Sequence, residues 1–173
     1  MWLVDIDGTL ALKGDRSPYD WDRVGEDLPN LPVILVVQAL IQADHRVAYL
    51  SGRKERCRRQ TELWLATHVG HWDRTEGLWM RPDHDNRPDF RLKRDIYRRH
   101  FAHQEITGVI DDRKTVVAMW RSLGLTVLQV AEGDFDPPGY GSRSARMAAM
   151  NQANIGVRLG GTGHPLITAR RCQ

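Results

Sequence analysis

Hydrophobic and polar residues alternate in two rhythms along the first 130 residues of the chain. Short apolar stretches with strand character cover the ranges 1–4, 45–50, 77–81, 105–110 and 125–130. Between them, apolar residues recur at helical spacing, as with Ile34, Val37 and Ile41 after a start marked by prolines. This alternation predicts an α/β fold: a doubly wound, mostly parallel sheet with helices on both faces and a site along its carboxyl edge.

The first predicted strand ends in two acidic residues, within the run Asp5-Ile6-Asp7-Gly8-Thr9. Asp5 and Asp7 can converge on one cavity where the chain leaves the strand through a turn at Gly8. Two carboxylates at this spacing suit a divalent cation and a phosphoryl group, one attacking phosphorus and the other transferring protons, while Thr9 steadies the nucleophile. The alternative is an ordinary strand-to-turn exit, because Asp and Gly are common in turns.

Two further predicted strands end in residues that bind anions or cations. Ser51, Gly52 and Arg53 follow the strand at 45–50 and can hold a phosphate through a hydroxyl, backbone amides and a guanidinium group. Asp111 and Asp112 follow the strand at 105–110, where acidic pairs are usual metal ligands in this type of sheet.

Arg16, Asp89 and Lys93 are candidates away from the strand ends. The range 11–28 has the composition of a loop that can fold back over the site, which brings Arg16 within reach of a phosphate. A solvated loop arginine is the alternative. Asp89 suits a helix N-cap, and Lys93 lies one turn further along the same face, where it can neutralise a phosphoryl group. The alternative is an exposed helical ion pair of little energetic weight.

The helix predicted after Arg53 has one face with four basic residues: Lys54, Arg56, Arg58 and Arg59. Such a face at the mouth of a phosphate site can grip a polynucleotide backbone. It is equally consistent with a solvated helix face.

Composition is typical of a globular protein, with 41% hydrophobic and 27% charged residues. A net charge of +3 is by itself weak evidence for a nucleic-acid partner. Cys57 and Cys172 lie far apart, no apolar run is long enough to span a bilayer, and we expect no signal peptide before Met1. These features predict a reduced, cytoplasmic location and no membrane partner.

The order of these segments resembles the haloacid dehalogenase superfamily of phosphatases, whose motifs match Asp5-Ile6-Asp7-Gly8-Thr9, Ser51-Gly52-Arg53, Lys93 and Asp111-Asp112. Over residues 1–133 the chain is similar to the 3'-phosphatase domain of bacteriophage polynucleotide kinase/phosphatase. Further segments carry this likeness: Pro18-Tyr19-Asp20, Asp89, Val117 to Arg121, and Gln129 to Phe135.

The resemblance implies a Mg²⁺-dependent enzyme of nucleic-acid repair that removes 3'-phosphate from DNA or RNA ends. Asp5 would form an aspartyl-phosphate, and Asp7 would protonate the departing ribose oxygen and then activate water. Mg²⁺ would bind the Asp5 carboxylate, the Asp7 backbone carbonyl and one or both of Asp111 and Asp112. The implied phosphate and substrate residues are Thr9, Arg16, Ser51, Gly52, Arg53, Lys93 and Asp89, the last of which would orient Lys93.

The chain departs from the phage enzymes in its domain organisation. It contains no Gly-Lys pair and therefore no kinase P-loop, so we expect any kinase or ligase partner to act in trans. No large insertion separates the motifs, so we expect no bulky cap and an open site that admits a polymer end. The range 134–173 contains Gly- and Pro-rich stretches and is predicted to form an appendage, with helix potential at 142–153, after a catalytic domain at 1–133.

Two other functions remain open from the sequence. The same catalytic residues would serve a phosphatase for mononucleotides or other small phosphoesters. The chain could also be a non-catalytic nucleic-acid-binding module, although such a role would not require Asp5, Asp7, Lys93 and Asp111 together.

Overall fold

The computed structural model describes residues 1–132 of the protein. The predicted appendage at 134–173, its helix at 142–153 and the domain boundary at residue 133 lie outside the described residues and stay predictions. Among the helices of residues 1–132, none combines the length and the apolar character that a membrane crossing needs.

The centre of the described part of the chain is a five-stranded parallel sheet. Its strands are β1 Trp2–Val4, β4 Val47–Lys54, β5 Gly77–Arg81, β6 Gly108–Asp111 and β7 Val127–Gln129. The strand order is β5-β4-β1-β6-β7, and β2 Ala11–Leu12 forms a separate antiparallel pair with β3 Leu28–Pro29. The helices are α1 Leu31–Gln42, α2 Arg58–His68, α3 Asp89–His100 and α4 Lys114–Ser122.

Alternate residues of the central strands enter two different hydrophobic clusters, which form the two sides of the core. Val4 and Tyr49 pack with the apolar stripes of α1 and α2, which include Ile34, Val37, Ile41, Trp64 and Leu65. Leu3 and Leu50 pack with residues of α4 and the end of α3, which include Phe101, Val116, Met119 and Trp120. The prediction of helices on both faces of a parallel sheet is therefore confirmed.

Strand β4 is longer than its apolar stretch indicates. The prediction that Ser51, Gly52 and Arg53 follow the strand was wrong, because they belong to β4 itself. The strand continues to Lys54, which pairs with Arg81 of β5 after a register irregularity. Lys54 therefore lies in the sheet and not on the following helix.

The range 11–28, predicted to be a loop, contains regular secondary structure. It contains β2, β3 and a 3-10 helix at Trp21–Glu26 whose Val24 is completely buried. The indole of Trp64 donates a hydrogen bond to the backbone carbonyl of Asp27 at 2.8 Å. This segment is thus packed against α2 and forms a fixed wall beside the carboxyl edge of the sheet.

Candidate active site

The carboxyl ends of three neighbouring strands meet at one place. In the register of the sheet, Val4 lies beside both Tyr49 and Ile110. The residues two or fewer positions further along these three stretches of chain therefore lie close together at the carboxyl edge. The backbone amide of Asp5 donates a hydrogen bond to the carbonyl of Ile110 at 2.9 Å, which extends this register by one residue. Asp5, Ser51 and Asp111 are therefore brought together as the sequence predicts.

Asp5 is held at both carboxylate oxygens. Lys93 Nζ donates a hydrogen bond to Oδ1 at 2.6 Å, and the Thr9 hydroxyl donates one to Oδ2 at 3.1 Å. The side chain is only 6% exposed. Burial raises the pKa of Asp5 well above its usual range, Lys93 opposes the shift, and the negative charges of Asp111 and Asp112 add to it. The carboxylate is thus fixed in orientation and poorly solvated, which suits a nucleophile.

Asp5, Asp111 and Asp112 each offer one carboxylate oxygen, and these atoms lie within 4.8 Å of one another. Burial, followed by the charge of Asp111, raises the pKa of Asp112 to about 6. Hard oxygen ligands that repel one another in this way fit a divalent cation such as Mg²⁺, because the ion would remove the repulsion. Gly8 is required for this approach: its φ is +86°, and a Cβ there would lie 2.2 Å from Asp112 Oδ2.

Lys93 neutralises part of this carboxylate cluster. Its side chain is 1% exposed, and Nζ donates a second hydrogen bond, to Asp111 Oδ2 at 2.9 Å. The Trp120 indole donates to the same oxygen at 3.3 Å. Burial alone would lower the pKa of Lys93, but the charges of Asp111 and Asp5 outweigh it and raise the pKa. Lys93 is therefore a permanently charged group at the centre of the site.

Asp7 lies beside two arginines. Arg53 donates hydrogen bonds to its carboxylate from Nε and Nη2 at 2.9 to 3.0 Å, and Arg16 Nη2 donates one at 3.3 Å. Burial raises the pKa of Asp7, but the charge and hydrogen bonds of Arg53 and the charge of Arg16 outweigh it, so the pKa lies below its usual value. Asp7 keeps 34% of its side chain exposed and so faces the opening of the site.

Asp27, which sequence reasoning missed, holds both arginines. It accepts hydrogen bonds from Arg16 Nε and Nη2, both at 2.6 Å, and from Arg53 Nη2 at 2.7 Å. Arg16 is 4% exposed, which excludes the solvated loop arginine. No signal in the sequence identifies Asp27, because its partners lie 11 and 26 residues away in the chain.

Gly52 and Asp89 are in close contact at the other side of the site. A Cβ at Gly52 would lie 2.5 Å from Asp89 Oδ1, so a side chain there would displace the Asp89 carboxylate. The predicted N-cap role of Asp89 was wrong: Pro88 occupies the N-cap, and Asp89 is the first residue of α3. Lys93 Nζ lies 3.9 Å from Asp89, farther than from Asp5 or Asp111, so Asp89 is a secondary partner of Lys93.

The structure leaves fewer exposed basic residues after Arg53 than the sequence predicts. Lys54 is buried and donates to backbone carbonyls of Asp83 and Asp85 and to the side-chain oxygen of Asn86. Arg58 forms ion pairs with Glu55 and Glu62. Arg56 and Arg59 are exposed, so the interpretation as a polynucleotide grip is left with two of its four residues.

The fold and the site together define a phosphatase of the haloacid dehalogenase class, with acidic residues clustered at the carboxyl ends of parallel strands. Residues 1–135 match the family model of the polynucleotide kinase PNKP phosphatase domain. The chain belongs to this family.

Relatives and solved structures agree with this assignment. The chain is 36% identical over 132 residues to the "Putative bifunctional polynucleotide kinase/RNA ligase" of Autographa californica nuclear polyhedrosis virus, covering 74% of this chain and 19% of that protein. Chains in structures of the Pnkp1/Rnl/Hen1 complex and the Pnkp1/Rnl/Hen1 RNA repair complex match with a TM-score of 0.72 and 35% identity. These matches cover 78% of this chain and 46% and 43% of theirs, so the chain spans less than half of these relatives.

A more distant neighbour confirms the fold alone. The D,D-heptose 1.7-bisphosphate phosphatase from B. bronchiseptica, solved with magnesium and phosphate, matches with a TM-score of 0.52 and 17% identity. The match covers 88% of this chain and 97% of that one.

Proposed function

We propose that this protein removes the 3'-phosphate from RNA or DNA ends in nucleic-acid repair, in a Mg²⁺-dependent reaction through an aspartyl-phosphate on Asp5. The observation that carries the proposal is the position of Asp5, which is buried and held at both oxygens next to Asp7 and a cluster of cationic side chains. Membership of a phosphatase-domain family supports the same chemistry.

In the first step, an oxygen of Asp5 attacks phosphorus, and the bond from phosphorus to the ribose 3'-oxygen breaks. The Asp7 carboxyl gives its proton to the departing oxygen, which is otherwise a poor leaving group. In the second step, water attacks the aspartyl-phosphate, gives a proton to the Asp7 carboxylate and releases orthophosphate. Asp5 returns to its starting state.

Asp7 must be protonated for the first step, although Arg53 and Arg16 keep its pKa low in the ligand-free site. A phosphate dianion would compete for the same guanidinium groups, which are the natural partners of phosphate. Their loss to the substrate would raise the pKa of Asp7, so binding itself would prepare the general acid.

The residues that would hold Mg²⁺ are Asp5, Asp111 and Asp112, with the backbone carbonyl of Asp7 as the further ligand that the family resemblance implies. When bound, the ion supplies charge that offsets repulsion between the phosphate and the nucleophilic carboxylate. Lys93, Ser51 and Arg53 would provide the remaining positive charge and hydrogen bonds around the phosphate.

A polymer end is the substrate that the surroundings of the site favour. No large cap covers the carboxyl edge of the sheet within residues 1–132. The relatives are described as a polynucleotide kinase/RNA ligase and as members of an RNA repair complex. We therefore propose that RNA ends are a substrate and that a kinase or ligase acts together with this chain in trans.

The proposal predicts phosphate release from a 3'-phosphorylated oligonucleotide and not from the same oligonucleotide phosphorylated at its 5' end. Release is measured for RNA and DNA versions, with Mg²⁺ and with EDTA, beside a 3'-mononucleotide. We expect at least about tenfold higher kcat/KM for the oligonucleotide than for the mononucleotide, because contacts beyond the phosphate add binding energy. Activity confined to the mononucleotide would overturn the polymer substrate and keep the mechanism. Absence of all activity would favour the nucleic-acid-binding module.

The carboxylate cluster predicts how Mg²⁺ and pH change stability. Since the pKa of Asp112 is about 6 in the folded protein and its usual value is 3.8, ionisation costs stability above pH 6 and not below pH 4. Asp112→Asn should raise the Tm of the metal-free protein by a few degrees at pH 7.5, with a smaller gain at pH 5. Mg²⁺ should raise the Tm of the wild type at pH 7.5 and that of the variant much less. An equal Mg²⁺ effect on both would argue against Asp112 as a ligand.

A further inference from the structure

Arg81 ends strand β5 at the carboxyl edge of the sheet and is buried, with 8% of the residue exposed. Its guanidinium donates three hydrogen bonds in different directions. Nε donates to the carbonyl of Gly52 at 2.9 Å, Nη1 to the carbonyl of Arg87 at 2.7 Å, and Nη2 to Asp89 Oδ1 at 2.9 Å. One side chain thus joins the end of β5 to two other segments of the chain, the end of β4 and the stretch that leads into α3.

Both of these segments carry groups that the proposed mechanism assigns to the phosphate. Gly52 lies between Ser51 and Arg53, and Asp89 begins the helix that positions Lys93 one turn later. The segments touch directly, because a Cβ on Gly52 would be 2.5 Å from Asp89 Oδ1. Arg81 holds both sides of this contact and therefore fixes the distance between the β4 segment and α3.

Arg81 also compensates the negative charge of Asp89. The other cations near this carboxylate are farther away: Arg113 Nη1 at 3.6 Å and Lys93 Nζ at 3.9 Å. Without Arg81, only these more distant cations would offset the charge of Asp89, which would draw Lys93 away from Asp5 and present more negative charge to a bound phosphate. Both effects would weaken phosphate binding.

We propose that Arg81 is a positioning residue for the phosphate site, acting through the Gly52 carbonyl and Asp89. The inference rests on the proposed function, since Ser51, Arg53 and Lys93 are the groups it would align. The planar guanidinium group of arginine is needed, because a lysine ammonium at the same place could not donate to three acceptors that lie in different fixed directions.

Lys54 offers a matched control within the same structure. It is also a cation with 8% exposure, and it also fastens the loop between β5 and α3, through the carbonyls of Asp83 and Asp85 and the side chain of Asn86. None of these three hydrogen bonds goes to Gly52 or Asp89. Replacing Lys54 therefore loosens the loop without removing the link to the phosphate segment.

The test compares Arg81→Met with Lys54→Met in the full chain. For a 3'-phosphorylated oligonucleotide, we expect Arg81→Met to raise KM by at least about tenfold, as for a lost charge-assisted hydrogen-bond network, and Lys54→Met by less than about threefold. Arg81→Lys should recover only a small part of the loss. In the double variant Arg81→Met with Asp89→Asn, the rise in KM should be smaller than the product of the two single effects, because the charge that Arg81 compensates is gone and only the link to the Gly52 carbonyl remains to be lost.

Binding of inorganic phosphate gives a second measurement that does not depend on turnover. The rise in Tm caused by phosphate should be smaller in Arg81→Met than in Lys54→Met and the wild type. Equal losses in the two methionine variants, or additive effects of Arg81→Met and Asp89→Asn, would reduce Arg81 to a loop anchor and overturn the inference. If the wild type has no 3'-phosphatase activity, the proposed function fails, while the phosphate measurement still decides the role of Arg81.

Discussion

Asp5→Asn should lower phosphate release by at least about four orders of magnitude, because the reaction loses its nucleophile and cannot proceed through a covalent intermediate. The substitution preserves the size of the side chain, and an amide oxygen still accepts the hydrogen bond from Thr9 or Lys93. Folding should therefore be preserved, since one negative charge leaves a crowded cluster. Initial rates with a 3'-phosphorylated oligonucleotide measure the effect.

Asp7→Asn provides the comparison that identifies the two roles. It should abolish activity on the oligonucleotide but lose far less in the first step with p-nitrophenyl phosphate, whose leaving group needs no proton. Phosphorylated protein should then accumulate, because the water of the second step lacks its base. Asp5→Asn should form no phosphoprotein with either substrate. Equal losses for both substrates in Asp7→Asn would contradict its role as the acid.

Lys93→Met should destabilise the protein by about 3–5 kcal/mol, as is usual when one partner of a buried ion pair is removed. Lys93 is 1% exposed and bridges Asp5 and Asp111 at 2.6 and 2.9 Å. Its loss leaves two adjacent carboxylates without a counter-charge. Urea unfolding in the absence of metal measures the difference, and kcat should also fall because the phosphoryl group loses a neighbouring cation.

The stability difference should depend on pH in a defined direction. Without Lys93, the pKa of Asp5 in the folded state would rise further above its unfolded value. Such a carboxyl costs stability at high pH and ceases to do so as pH falls below the folded pKa. The free energies of unfolding of the wild type and Lys93→Met should therefore become more similar in acid. Arg46→Met, which removes an exposed pair with Glu76, is the matched control and should change the free energy of unfolding far less at any pH. A stability difference between the wild type and Lys93→Met that becomes larger in acid would contradict this account.

The sequence was most informative where chemistry coincides with a strand end. Asp5, Ser51 and Asp111 could be brought to one edge from topology alone, because parallel strands align their carboxyl ends. Lys93 and Arg16 were candidates from a helix face and a loop, and the family resemblance implied that they surround the phosphate. Their burial and their partners could not be predicted, since these depend on how α3 and the 11–28 segment pack.

Three residues that hold other side chains of the site were not identified from the sequence: Asp27, Trp120 and Arg81. Asp27 follows a 3-10 helix with no recognisable pattern, and Trp120 belongs to an ordinary apolar stripe although its indole reaches Asp111. Arg81 did carry a signal, since it ends a predicted strand at the same edge as the candidate residues. The end of β4 was misplaced because Ser51 and Gly52 are typical of turns, yet pairing with β5 overrides that local preference.

The group formed by Asp7, Arg16, Asp27 and Arg53 constrains how this protein can be redesigned or can diverge. Two carboxylates and two guanidinium groups balance one another, and the members come from three separate parts of the chain. Changing any one of them leaves a net charge in this largely buried group, so we expect these four positions to vary together. The exposed residues of the same wall, such as Ser17, Tyr19 and Asp22, are under no such constraint. The amino-acid sequence can therefore vary along the outer rim while the inner charges are kept.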